Sequence, residues 1–178
     1  MEGRRFSVCL VTASVLLAGA GALRADGLLG SPSPQPSQPA PTAGGITSRP
    51  APGSPTALVL PFYEKPGSEL APARRGDFID PARKVLDDNE ALQKSGQGDC
   101  LDSDMALDNA ASDEAQIAAS LKTLEAVNGE TAKVIVAFVE DGKPHRLEWK
   151  LRKADGAWKI FDLLSVTGEW ELSQYQCE

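Results

Sequence analysis

Between residues 131 and 164, apolar side chains recur at the two-residue period of β-strands. Asp-Gly interrupts the run twice: TAKVIVAFVE, Asp141-Gly142, HRLEWKLRK, Asp155-Gly156, WKIFDLL. Asp-Gly between segments rich in β-branched and aromatic residues predicts tight hairpins, because Gly reaches φ > 0 without a steric clash. Around residues 133–139 both faces are mostly apolar, which places that strand inside the sheet. In the next segment Leu147, Trp149 and Leu151 alternate with Arg146, Glu148, Lys150 and Arg152, giving one dry and one wet face. In the last, strict alternation puts Trp158, Ile160 and Asp162 on one face and Phe161 and Leu163 on the other. Trp170 and Leu172 predict an added edge strand.

Upstream the period lengthens. Residues 55–63 read as a short apolar helix, kinked or delayed by Pro61. Residues 65–76 hold Pro66, Gly67, Pro72 and Gly76 and read as a loop. Asp80-Pro81 predicts a helix start, with Asp80 as the capping residue and Pro81 in the first turn. Ala82, Val85, Leu86 and Leu92 then follow a 3.6-residue period, and Ser95-Gly96 ends the helix. Residues 115–127 fit either a helix or a long strand, but Asn128-Gly129 before a clear strand favours strand over about 120–127. Helices followed by a consecutive antiparallel meander predict an α+β domain, with the helices on one face of a curved sheet.

Composition changes the picture ahead of residue 56. Arg4 and Arg5 precede an apolar run at 6–17 and the small residues Ala18-Gly19-Ala20-Gly21-Ala22, the three parts of an export signal. Cleavage after Ala20, Ala22 or Ala25 fits, and an uncleaved anchor is the alternative. Cys9 lies before the cleavage point, where lipid attachment cannot use it. Residues 26–55 carry Pro32, Pro34, Pro36, Pro39, Pro41, Pro50, Pro52 and Pro55 among small polar residues, and so predict a disordered spacer. The organisation expected is signal 1–25, linker 26–55 and domain 56–178, in a periplasmic or secreted protein.

The chain has 18 basic and 25 acidic residues, a formal charge of −7. Such a balance, with no basic stripe, excludes a nucleic-acid backbone as ligand. It suits a cationic partner. Once the signal is removed, Cys100 and Cys177 remain, and an even pair in an oxidising compartment predicts a disulfide.

Four elements in order carry a family resemblance. They are Phe62-Tyr63 closing a short helix, Phe78-Ile79-Asp80-Pro81 opening another, the acidic Leu101-Asp102-Ser103-Asp104, and the closing stretch Asp155-Gly156-Ala157-Trp158-Lys159-Ile160-Phe161-Asp162. Together they resemble an exported bacterial family catalogued as domain of unknown function 3828, and more broadly the nuclear transport factor 2-like α+β roll. The resemblance implies a cone-like sheet wrapped about helices, often enclosing a pocket. Superfamily activities range from isomerases and dehydratases to ligand carriers and dimerisation modules, so fold alone selects none. The chain departs from the family's acidic element, with Met105 and Asn109-Ala110 where Pro and an Ala-Gln-Asp-like end are usual.

Candidate chemistry is sparse, and no cofactor motif is legible. His145 is the sole histidine; it follows Pro144 at a strand start, where exposure is expected. Asp99, Asp102, Asp104, Asp108 and Asp113 offer oxygen ligands for calcium, without the Gly and closing Glu of an EF-hand loop. The alternative is that they cap turns and helices. Asp162 is a weak candidate for acid–base catalysis in a cone pocket lined by Tyr63 and Trp158; the competing reading has it accept backbone hydrogen bonds at a strand end. The leading expectation is a non-enzymatic binding or accessory protein for an envelope partner or small ligand. An isomerase- or hydrolase-type enzyme using Asp162, and a calcium-stabilised domain, are the alternatives.

Overall fold

A computed structural model describes residues 49–110 and 113–177. The signal and most of the linker lie outside the described residues. From 49 to 54 the chain carries neither helix nor strand. Ser54 then caps α1 (Pro55–Val59), its Oγ accepting from Ala57 N, and α2 (Pro61–Glu64) follows after Leu60. The kink expected at Pro61 is this break: proline has no N–H for the helix ladder. The predicted loop contains two 3₁₀ turns, Ser68–Leu70 and Pro72–Asp77.

The start of α3 (Ala82–Ser95) differs from the prediction. Asp80-Pro81 is a cis bond, and Pro81 flanks the helix with no side-chain cap. The segment before it is held by the sheet instead. Phe78 bridges Ile160, Ile79 N donates to Ile160 O, and Ile79 O accepts from Arg83 N, so a backbone carbonyl takes over what Asp80 was expected to do. The helix stops where predicted. Gly96 has φ 76°, Gly96 N donates to Gln93 O and Gln97 N to Leu92 O, the pairing of a Schellman motif.

The ambiguous stretch divides in two. α4 (Glu114–Ser120) is capped by Asp113, and β1 (Lys122–Asn128) begins two residues after the helix ends. β2 (Thr131–Glu140), β3 (Lys143–Ala154), β4 (Ala157–Ser165) and β5 (Trp170–Glu171) complete an antiparallel sheet in the order β1-β2-β3-β4-β5. The Asp-Gly turns have φ 48° and 72° at 141–142 and 52° and 77° at 155–156, positive at both central residues as tight hairpins require. β2 lies inside the sheet, as its two apolar faces predicted.

The core lies between the helices and one sheet face. Leu147, Trp149 and Leu151 of β3 are fully buried there, with Val134, Val136 and Phe138 of β2. The Phe62 ring stacks on Trp149 with centroids 5.1 Å apart, and Phe78 packs 5.8 Å from Phe62. Aromatic contacts of this kind are worth about 1 kcal/mol beyond the area they bury. Trp149 Nε1 donates to Tyr63 Oη at 2.9 Å, which satisfies both buried polar tips.

One register departs from strict alternation. Leu151 pairs with Ile160 and Lys150 with Asp162, so Phe161 is an extra residue in β4. This bulge turns every residue after it to the opposite face. Ile160 and Leu163 therefore share the buried side. Phe161 faces away, beneath the Arg152 guanidinium at 5.0 Å, and Asp162 falls on the Lys150 side, not with Ile160 as predicted.

The Cys100–Cys177 disulfide is formed, with Cα atoms 5.5 Å apart. Among the described residues, no helix is long and apolar enough to cross a membrane.

Candidate functional site: an acidic cleft at the hairpin tip

The three residues expected to share a pocket are apart. Tyr63 lies in the core against Trp149 and Phe138, where burial pushes its phenol pKa far up. Trp158 is half-buried, with Lys153 Nζ 5.2 Å from its ring centroid. Asp162 is buried on the other side of the sheet. Its Oδ1 accepts from Leu163 N and Ser173 N, and its Oδ2 from Ser173 Oγ and Lys150 Nζ. Burial, and then the neighbouring Glu171 carboxylate, push the Asp162 carboxyl up, while Glu171 is held down by Asp162 and Lys150. These bonds tie the 3₁₀ turn Leu172–Gln174 to β4. They leave Asp162 in the role of the alternative reading, a strand-end acceptor.

The acidic element also disperses. Asp99 accepts from Gln93, Asp102 from Asn109, Asp104 from Ser103, and Asp113 caps α4 through Gln116 N. Among the described residues no group of three or more His, Cys, Asp or Glu side chains is placed to hold a metal ion.

Asp108 is different. It follows the 3₁₀ turn Met105–Leu107 with φ 57°, and its side chain is 5% exposed. Its Oδ1 accepts from Trp170 Nε1 at 2.9 Å, and its Oδ2 from Thr167 Oγ1 at 2.7 Å and His145 Nδ1 at 3.0 Å. Burial alone would raise this carboxyl, but the hydrogen bonds of Ser165, Thr167, His145 and Trp170 outweigh it and hold the pKa low. Gly168 is required beside it: a Cβ there would sit 2.5 Å from Asp108 Oδ1 and 2.9 Å from the Trp170 ring.

His145 is therefore not exposed as expected. Its ring stacks on Phe138, with centroids 5.0 Å apart and planes 10° from parallel, and its side chain is only 14% exposed. The Asp108 carboxylate can only accept, so His145 Nδ1 donates to it. Its Nε2 is buried and has no partner among the described residues.

His145 and Asp108 line an open cleft of about 490 Å³ at the tip of the β2–β3 hairpin, with Asp113, Gln116, Glu140, Asp141 and Lys143. α4 closes one side of it. Ser120 Oγ accepts from Val139 N and donates to Gln116 O, while Gln116 Oε1 accepts from Asp141 N. Glu140 is only 9% exposed, yet its carboxylate makes no hydrogen bond or ion pair among the described residues. Strand alternation alone does not separate Glu140 from a fully solvated glutamate.

Glu69, in the predicted loop, was passed over. It is 2% exposed; Oε1 accepts from Ala106 N at 2.9 Å, and Oε2 has no partner among the described residues. Burial outweighs the Ala106 bond and pushes its pKa up to about 7.

Neither a family model nor a curated protein matches this chain. It is similar to a chain in the crystal structure of the type VI native effector-immunity complex Tae3-Tai3 from Ralstonia pickettii. The identity is 15%, the TM-score 0.44, and the match covers 70% of this chain and 99% of that one. A likeness at this level carries no functional argument.

Proposed function

We propose that this protein is an exported binding or accessory module, holding an envelope partner or small ligand without catalysing a reaction. One observation carries the reading: the weak catalytic candidate is saturated by hydrogen bonds of its own fold and faces away from the residues expected to share its pocket. Asp162 is engaged by Ser173, Leu163 and Lys150. An enzyme of the cone-pocket type would instead need Asp162 beside Tyr63, and those two residues serve opposite faces of the sheet. The filled aromatic core around Phe62 and Trp149 favours the same conclusion.

Export is supported by the Cys100–Cys177 bond, since disulfides persist in oxidising compartments. The sheet packed on helices is compatible with the nuclear transport factor 2-like roll that the order of motifs implies, and we retain that family as part of the proposal.

The test is affinity capture of the tagged full-length protein from its own envelope, followed by sizing of the eluate. A single stoichiometric protein or small-molecule companion supports the reading. Recovery of the protein alone, with turnover of an isomerase or hydrolase substrate that Asp162→Asn abolishes, would replace it with the enzyme.

A further inference from the structure

The core occupies one face of the sheet. The other face is open over β1, β2 and β3, where Lys122, Leu124, Ala126, Lys133, Arg146 and Arg152 are exposed. The strand register orders that face. Lys122, Ala137 and Arg146 stand side by side at one end, and Asn128, Thr131, Arg152 and Lys159 at the other. Between them runs an apolar row of Leu124, Ile135 and Leu164, interrupted by Glu148. Leu124 is 53% exposed. An apolar middle with a charged rim is the anatomy of a protein interface.

The charges on this face do not balance. Its three carboxylates are all taken, Glu148 by Lys133 at 2.7 Å, and Asp162 and Glu171 by Lys150. Among the described residues, Lys122, Arg146, Arg152 and Lys159 have no carboxylate partner. Arg152 and Lys159 are direct cross-strand neighbours, a placement that like charges make unfavourable. Arg152 reaches only the Phe161 ring, and Lys159 only Gly76 O. The β4 bulge adds a recess. It turns Phe161 onto this face, where a cavity of about 250 Å³ opens among Ala126, Thr131, Lys133, Lys150 and Phe161.

Resting on the binding-module reading, we propose that this face docks an acidic partner protein. An apolar side chain of the partner enters the recess over Phe161. Partner carboxylates meet Arg152 and Lys159 at one end of the face and Lys122 and Arg146 at the other. Composition alone suits a cationic partner, since the whole chain is at −7, but the open sheet face carries the opposite sign. A protein is favoured over a lipid surface by magnitude. Six basic side chains against three carboxylates leave a surplus of three charges on this face. Such a surplus is one weak signal, and stable attachment to an anionic membrane takes two.

The experiment titrates the full-length protein with a blocked peptide, Asp-Asp-Leu-Asp-Asp, and with its Asn-Asn-Leu-Asn-Asn counterpart, read by NMR. The aspartate peptide is expected to move the amides of Lys133, Arg146, Arg152 and Phe161. The asparagine peptide should bind at least about tenfold more weakly, the size of one charge-assisted hydrogen bond. The double variant Arg146→Glu/Arg152→Glu should weaken the aspartate peptide by at least as much, with core amide signals in place to show that the fold is kept. The control Arg49→Glu/Lys65→Glu makes the same change in net charge at exposed positions outside the sheet, and should bind as the wild type does.

Equal binding of the two peptides, shifts confined to other residues, or the same loss in both variants overturns the proposal. Sedimentation of the wild type, but not of Arg146→Glu/Arg152→Glu, with vesicles of phosphatidylcholine and phosphatidylglycerol in equal parts would give the face to a lipid surface instead. A dimer of the wild type that the same variant abolishes would give it to a second copy. An envelope companion held equally by the wild type and this variant would sink the inference and leave the binding-module reading standing. Absence of any companion would sink that reading, whatever the peptides do.

Discussion

Glu69 is the residue whose burial has the plainest thermodynamic consequence. Its pKa rises from 4.5 to about 7 on folding, so between those values the folded protein holds a proton that the unfolded chain has released. Its contribution is therefore most favourable below pH 4.5 and is lost as the pH rises through 7. The loss amounts to at most about 3 kcal/mol. Glu69→Gln, neutral throughout, should be more stable than the wild type above pH 7 and should flatten the decline; denaturant titrations at several pH values would show this, and parallel curves for the two proteins would refute it. Gly168→Ala makes the opposite kind of test. The new Cβ has no room beside Asp108 and Trp170, and overpacking of this sort costs about 1–3 kcal/mol. Unchanged unfolding would mean that the Asp108 cluster is looser than described. Neither residue stood out in the sequence, and the reason is separation along the chain. Asp108 meets His145 across 37 positions and Trp170 across 62, and no local pattern encodes such a meeting.

At the scale of elements, the strands were legible and one local irregularity was not. Asp-Gly turns and two-residue periodicity located β2, β3 and β4 because turn chemistry and pleat are local properties. The bulge at Phe161 is not local. It is set by the partner strand, and it moved Asp162 from the face where catalysis was considered to the face where it holds the C-terminal turn. Residues 115–127 were ambiguous by period because a helix and a strand meet inside one apolar stretch; Asn128-Gly129 located the strand, β1, and the short α4 ahead of it was not legible. The role given to Asp162 predicts a confined effect. Asp162→Ala should speed amide hydrogen exchange at residues 172–175, where Ser173 loses its acceptor, and leave protection in β2 and the first half of β3 as it was. Uniform loss of protection across the sheet would show that Asp162 supports the core and not the turn.

For the whole molecule, the disulfide and the net charge set the behaviour expected outside the cytosol. Cys100 and Cys177 are 77 residues apart, and a cross-link closing so long a loop stabilises by about 4.5 kcal/mol in the chain-entropy account. Replacing both by serine should lower unfolding stability by several kcal/mol, and a loss under about 1 kcal/mol would leave the bond without that role. The order of helices before meander made the α+β class readable from sequence. The cleft was not, because it forms only where α4, the turn after Leu107 and the β2–β3 hairpin converge. The claim that joins these scales is that the protein is a binding module and not an enzyme. Co-purification of the full-length protein from its host envelope, with wild type and Asp162→Asn run side by side, tests it most directly. A single stoichiometric companion retained by both proteins is the predicted result, and recovery of the protein alone, with turnover of an isomerase or hydrolase substrate that the variant lacks, would contradict it.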